Sequence, residues 1–226
     1  MHGCEVAFST RLGGVSEGPF ESLNLGRMTA DEPGNVEENR RRLCAAVDAD
    51  VALLTLNRQQ HSAAVRRARA GERGEPGDGL WTDEPGVPML KLTADCVPIA
   101  VSRRDGAPAL ALLHAGWRGL LEGVVEAGVS AVARGAAAAI GPAIGPCCYE
   151  VGPEVSSPFV DRFGADVVRG DHLDLWTAAE RALNAAGCAS VERVDVCTAC
   201  NPDLFFSHRR DAGVTGRQGV IGVVVG

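Results

Sequence analysis

The chain has 226 residues, 46% of them hydrophobic, and a formal net charge of −7. That is enough apolar material for one buried core, while the acidic balance opposes generic nucleic-acid binding, which needs Lys and Arg clustered against phosphates. No apolar run reaches the roughly 18 residues of a membrane span, and the N-terminus lacks the basic, apolar and small-residue regions of a secretory leader. The sequence therefore predicts a single domain over residues 1–226, soluble and cytoplasmic, with no nucleic-acid or membrane partner and its oligomeric state left open.

In chain order, residues 5–9 alternate as a strand does and run into a tight turn at Gly13-Gly14. Asn35 followed by Glu38 gives a capping-box start to a helix carrying Val36, Leu43, Cys44 and Val47. Residues 51–56 read as a strand leading to His61, and residues 71–79, with four glycines and a proline, read as an exposed loop. Apolar runs at 89–92, 97–101 and 109–113 have strand length, which places Cys96 and His114 at or beside strand ends. A helix through Leu120, Leu121, Val124, Val125 and Val129 follows, then a strand at 136–140 and a shaped, Gly/Pro-rich loop at 141–152. Residues 173–186 have helical spacing and stop at Gly187, a left-handed C-cap. The runs at 191–196 and 220–225 read as strands, the second apolar enough for a central position. Helices and strands interleave without a repeat, which predicts a mixed α/β sandwich.

Eight cysteines, at 4, 44, 96, 147, 148, 188, 197 and 200, do not make a disulfide framework in a chain of this length without a leader. Cys197-Thr198-Ala199-Cys200 has the spacing of half a zinc ribbon, but no second pair has matching spacing. It reads as structural thiols near a loop, and Cys147-Cys148 as packing within a turn. Lys91 is the only lysine, and no function is drawn from it.

His61, Cys96 and His114 offer two imidazoles and a thiolate from separate segments. Such a set suits tetrahedral zinc and leaves the fourth position open. A lone His or Cys is more often structural than a ligand, and spacings of 35 and 18 residues match no local zinc-finger pattern. The three form a site only if tertiary structure assembles them.

Six blocks carry a resemblance that spans nearly the whole chain. They are Thr10-Arg11-Leu12-Gly13-Gly14-Val15-Ser16, Ser22-Leu23-Asn24-Leu25-Gly26, Ala94-Asp95-Cys96-Val97-Pro98, His114-Ala115-Gly116-Trp117-Arg118-Gly119, residues 141–152, and Phe205-Phe206-Ser207-His208-Arg209-Arg210-Asp211 with Thr215-Gly216-Arg217. Together they resemble the laccase-domain family, whose members also carry the names multicopper polyphenol oxidoreductase, peptidoglycan editing factor and purine nucleoside phosphorylase. The resemblance implies an α/β/β/α sandwich with mixed sheets and one zinc per chain on His61, Cys96 and His114, the same three being catalytic. It also implies phosphorolysis of adenosine, inosine, guanosine and methylthioadenosine with inorganic phosphate, and deamination of adenosine. Two positions depart from the family pattern: Ser62 stands where Gly is usual, reducing backbone freedom, and His208 stands where Tyr is commonest.

Deamination needs a general acid, for which Asp95 and Glu150 are the sequence candidates. Phosphorolysis needs donors for phosphate. Arg11, Arg118, Arg209 and Arg210 lie in the matched blocks, and Asn24 is suited to hold the sugar or base, or else to cap the turn at Gly26. Arg11, Asn24, Arg118 and Arg210 are the expected substrate contacts. A competing reading makes Cys96 the nucleophile and His114 the base of a cysteine hydrolase or amidase, in keeping with the editing-factor name and its L-serine-containing muropeptide precursor. A non-catalytic, regulatory role that binds a nucleoside or a partner protein without turnover is a further alternative. Copper is disfavoured as cofactor, because His2, His61, His114, His172 and His208 are the only histidines, too few for a multicopper array.

Overall fold

In the computed structural model, which describes residues 1–133 and 135–225, the apolar runs around Cys96 and His114 pair with each other at the centre of the larger sheet. In chain order the elements are β1 Cys4–Phe8, α1 Pro33–Ala45, β2 Leu56–Arg58, β3 Val65–Arg67, β4 Arg73–Pro76, β5 Gly79–Thr82, β6 Met89–Thr93, β7 Val97–Ser102, β8 Leu110–Ala115, α2 Trp117–Glu122, α3 Val124–Val132, β9 Ala137–Ile140, α4 Pro153–Phe163, β10 Val168–Arg169, β11 His172–Leu173, α5 Leu175–Ala186, β12 Ser190–Arg193 and β13 Gln218–Val224. A six-stranded mixed sheet runs β12-β9-β7-β8-β5-β3, and a three-stranded antiparallel sheet runs β1-β13-β6.

Strand alternation stacks these layers. On β8, Ala111 and Leu113 pack with Val125, Val129, Phe159 and Leu183 of the helices, while Leu110 and Leu112 meet Met89, Val220 and Val224 of the smaller sheet. That sheet turns Leu90 and Ile221 the other way, against Leu43, Cys44 and Val47 on or just beyond α1. The order is helices, sheet, sheet, helix: the α/β/β/α sandwich that the resemblance implied. As expected, β13 is central in its sheet, and α5 ends on Gly187 with φ +95°.

Several local expectations are corrected. α1 starts at Pro33, not at Asn35: Pro presets the first helical turn, no side chain caps it, and Glu38 binds Arg41 and Arg42 instead of closing a capping box. Residues 51–56 are not a strand. Asp50 accepts from the Ala52 amide, a short 3-10 turn spans Val51–Leu53, and β2 starts only at Leu56. The Gly-rich stretch 71–79 is not all loop, because β4 within it pairs parallel to β2 and its last residue opens β5. The helix after His114 is two helices, α2 and α3, broken at Gly123 with φ +95°. The short β3 and β5 and the helix α4, with Pro158 in its interior, have no counterpart in the sequence reading.

An L residue in the left-handed region at Gly123 costs about 1–2 kcal/mol. Gly123→Ala is expected to lower unfolding stability by that amount in urea denaturation; an unchanged midpoint would show that the α2–α3 break tolerates a side chain.

Candidate functional site

The register of the larger sheet assembles the site. β5 pairs antiparallel with β8 so that Gly79 faces Leu113, which sets Asp78 opposite His114 one step further along the ladder. The His114 amide donates to the Asp78 carbonyl at 2.8 Å, and His114 Nδ1 lies 2.8 Å from Asp78 Oδ1. When Nδ1–H donates to that carboxylate, Nε2 keeps its lone pair, the tautomer a metal ligand needs.

The same buried carboxylate holds the segment that carries His61. Asp78 accepts from the amides of Gln60 (3.1 Å), His61 (2.9 Å) and Ser62 (2.8 Å), and from Ser62 Oγ at 2.9 Å. These bonds hold His61 in the left-handed region at φ +63°. The departure at position 62 thus adds a donor to Asp78, and the residue with unusual backbone geometry is His61, since Ser62 is not among the residues with positive φ.

Cys96 immediately precedes β7 and follows Asp95, whose φ is +89°. Asp95 is anchored at both oxygens, by Thr198 Oγ1 at 2.6 Å and by the Arg209 amide at 2.7 Å. Both carboxylate oxygens are thereby engaged beside Cys96, and Asp95 lines the same cleft as Cys96. Glu150, the other sequence candidate, is exposed, and its carbonyl accepts from the Arg209 guanidinium.

The structure brings His61, Cys96 and His114 together, with their ligand atoms all within 4.8 Å of one another. His61 Nε2 is 3.7 Å from Cys96 Sγ, and the two imidazoles meet edge to face at 4.9 Å between centroids. Gly116 makes the approach possible, since a Cβ there would stand 2.6 Å from His61 Cδ2 and 3.1 Å from Cys96 Sγ. Two imidazoles, a thiol and a carboxylate behind one imidazole make a donor set that can hold a metal ion.

The charges around it are strongly perturbed. Burial alone would raise Asp78, but the His114 bond and the Ser62 and Gln60 amides outweigh it and hold the carboxyl well below its ordinary range. Burial lowers His114 to about 4 against the pull of Asp78. Burial, then the negative charges of Asp95 and Asp78, push the Cys96 thiol up to about 12. A cation among the three ligands opposes that shift, because metal binding displaces the thiol proton. Lys91 is fully buried nearby, donating to Asn57 Oδ1 and to the Gly77 carbonyl, and burial lowers it to about 7 while Asp78 pulls it upward.

The three residues line a cleft of about 730 Å³ shared with Met28, Leu92, Trp117, Ile144 and Tyr149 and with Arg27, Arg58, His208, Arg209 and Arg217. None of the four expected substrate contacts is among its lining residues. Arg11 donates to the Pro202 carbonyl and covers the Phe206 ring at 4.5 Å; Arg118 stacks on Trp117 at 4.6 Å; Arg210 pairs with Asp211 and donates to the Thr198 and Phe205 carbonyls. Asn24 is fully buried and accepts from the Gly26 and Arg217 amides, the turn-capping alternative. Arg209 lies over the Tyr149 ring at 5.1 Å. Sequence reasoning missed Asp78, Lys91, Tyr149 and Arg217. Tyr149 and Arg217 lie inside the matched blocks and were open to notice, whereas Asp78 sits in a Gly-Asp-Gly sequence that reads as turn chemistry alone.

A mixed α/β sandwich with a metal-capable His/Cys/His set in the lining of a cleft that also carries several arginines defines a recognisable class, and residues 5–224 match the family described as multi-copper polyphenol oxidoreductase laccase. The chain belongs to this family. It is 37% identical to the purine nucleoside phosphorylase YfiH of Escherichia coli, covering 96% of this chain and 92% of that protein. It is 36% identical to the purine nucleoside phosphorylase YlmD of Geobacillus stearothermophilus, covering 96% and 88%. The crystal structure of that YlmD superposes with a TM-score of 0.91 at 35% identity over 99% of this chain and 93% of the other. The Neisseria meningitidis protein NMB0706 superposes with a TM-score of 0.89 at 32% identity over 100% and 96%.

Replacing the carboxylate that orients a ligating histidine costs about 10–100-fold in metal affinity. Asp78→Asn is expected to show that loss in competition with a chromophoric chelator, and wild-type affinity would exclude the orienting role. A second expectation concerns pH. His114 titrates near 6.5 when unfolded and near 4 when folded, so between those values the unfolded chain of metal-free protein binds more protons. Stability falls as pH drops through that window and falls further as Asp78 is protonated below it. Urea midpoints measured from pH 7 to pH 4 should decline, with a shallower slope in His114→Gln; equal slopes for the two proteins contradict the assignment.

Proposed function

We propose that this chain is one domain acting as a zinc-dependent purine nucleoside phosphorylase, with His61, Cys96 and His114 as both ligands and catalytic centre. The observation that carries the reading is the convergence of those three donors in the lining of the cleft. The names of the relatives, at 36–37% identity over nearly the whole chain, supply the substrate class. Only two of the five histidines join this set, which favours a single metal over a copper array. Zinc held there supplies Lewis acidity, the chemistry required for deaminating adenosine as a companion activity.

The chain's own residues divide the remaining work. Trp117, Ile144, Tyr149 and Leu92 give the cleft apolar and aromatic walls suited to a purine. In phosphorolysis, phosphate attacks ribose C1′ as the bond to the base breaks, so cationic donors must hold phosphate beside the sugar. Arg58, Arg209 and Arg217 line the cleft and take the role expected of Arg11, Arg118 and Arg210, none of which lines it. Asp78 fixes the His114 tautomer, and Asp95 fixes the backbone before Cys96.

A second reading, a cysteine hydrolase cleaving an amide such as that of a misincorporated L-serine, draws on the 3.7 Å contact of Cys96 Sγ with His61 Nε2. His61, not His114, is then the base beside the sulfur. The test is release of free base from inosine and adenosine, with and without inorganic phosphate, by zinc-loaded wild type and by Cys96→Ala. Phosphate-dependent base release that falls by about 100-fold or more in the variant is expected, the scale of losing a central electrostatic group. No nucleoside turnover by zinc-loaded protein, with Cys96-dependent amide hydrolysis in its place, overturns the phosphorylase in favour of the hydrolase.

A further inference from the structure

We propose that Cys147, Cys148, Cys197 and Cys200 form a second metal site, a mononuclear tetrathiolate that takes zinc and is separate from the His61, Cys96 and His114 set. The sequence reading treated these cysteines as unrelated pairs because no second pair has the C-x2-C spacing. The fold supplies the missing half. The loop after β9 and the loop after β12 meet in a bridge between Ala143 and Cys197, and the Thr198 amide donates to the Ala143 carbonyl at 3.0 Å.

The four ligand atoms lie within 4.8 Å of one another. Cys148 Sγ is 3.3 Å and Cys147 Sγ 3.5 Å from Cys200 Sγ. A tetrahedron with metal–sulfur bonds of about 2.3 Å has edges of about 3.8 Å, so one ion fits with small side-chain movements. A polynuclear iron–sulfur cluster does not fit as well, because bridging iron and sulfide spread the four thiolates further apart.

The backbone is arranged for sulfur that carries charge. The Gly145 amide donates to Cys197 Sγ at 3.2 Å, and the Cys200 amide donates to the same sulfur. The turn that presents the vicinal pair is closed by the Cys148 and Tyr149 amides on the Gly145 carbonyl. The Arg210 guanidinium sits on the Thr198 carbonyl at 2.9 Å, between the two cysteines of the second loop in sequence. Binding a divalent cation displaces the four thiol protons and leaves a complex of net charge −2.

Four protein thiolates fill a tetrahedral ion, so the site is structural rather than catalytic. Its position gives it a task. Thr198, between Cys197 and Cys200, donates to Asp95, and the Ile144 amide donates to the Asp95 carbonyl at 2.9 Å. Ile144 and Tyr149, on the other loop, line the cleft. An ion at the quartet fastens together the two loops on which Asp95-Cys96 and one wall of the cleft rest.

The test is native mass spectrometry and cobalt substitution on wild type, on Cys96→Ala and on Cys147→Ser with Cys200→Ser. Wild type grown with zinc is expected to carry a second zinc per chain. Cys96→Ala is expected to keep that ion and, loaded with cobalt, to show the intense thiolate charge-transfer and tetrahedral ligand-field bands of a four-sulfur site. The double variant is expected to lose it, and if that variant does not fold, the Cys96→Ala spectrum decides. No bound metal in Cys96→Ala, a Cys148–Cys200 disulfide in the native protein, or inorganic sulfide in stoichiometric amount each overturns the proposal.

Discussion

The carboxylate of Asp78 is the interaction on which the site depends. It is fully buried, yet it accepts from three consecutive amides, a hydroxyl and an imidazole. A buried carboxylate is tolerated only when its lone pairs are satisfied, and each group that satisfies this one belongs to the candidate centre or to the segment carrying it. The strand register places Asp78 beside His114, and the amide bonds then draw the chain through His61 back over it. Lys91, buried on the same side, offsets part of the charge without a direct ion pair.

The sandwich makes this arrangement rigid. Cys96 and His114, at the ends of β7 and β8, rest on the two strands of the larger sheet in which every residue is buried. His61 comes from outside those strands, and its position is set by hydrogen bonds rather than packing. The candidate centre therefore combines two side chains fixed by the core with one fixed by polar contacts to a single side chain. That division makes the polar contacts at Asp78 the sensitive point, since hydrogen-bond networks in low dielectric are costly when partly satisfied.

How much of this was legible in the sequence varies with how local each signal is. The runs that became β6, β7, β8 and β13 carry their own hydrophobic pattern, and Gly187 its own stop signal, so these elements could be read directly. His61, Cys96 and His114 stood out by chemistry, but their convergence depended on tertiary structure and was supplied by resemblance. Asp78 was hidden because its role arises from a ladder register that no short window contains. The cysteine quartet was hidden for the same reason, each pair being unremarkable until two loops met. Asn24 and Arg210 show the converse: residues within distinctive blocks can also hold turns together, as Asn24 does at Gly26 and Arg210 does across Thr198 and Phe205.

The first question this site raises is whether His61, Cys96 and His114, oriented through Asp78, hold the ion that serves the cleft. Anomalous diffraction at the zinc edge from crystals of the active protein tests it most directly. The expected result is a peak at bonding distance from the three ligand atoms, with His114 Nδ1 still on Asp78. A triad without metal in crystals of protein that retains full nucleoside turnover would contradict it.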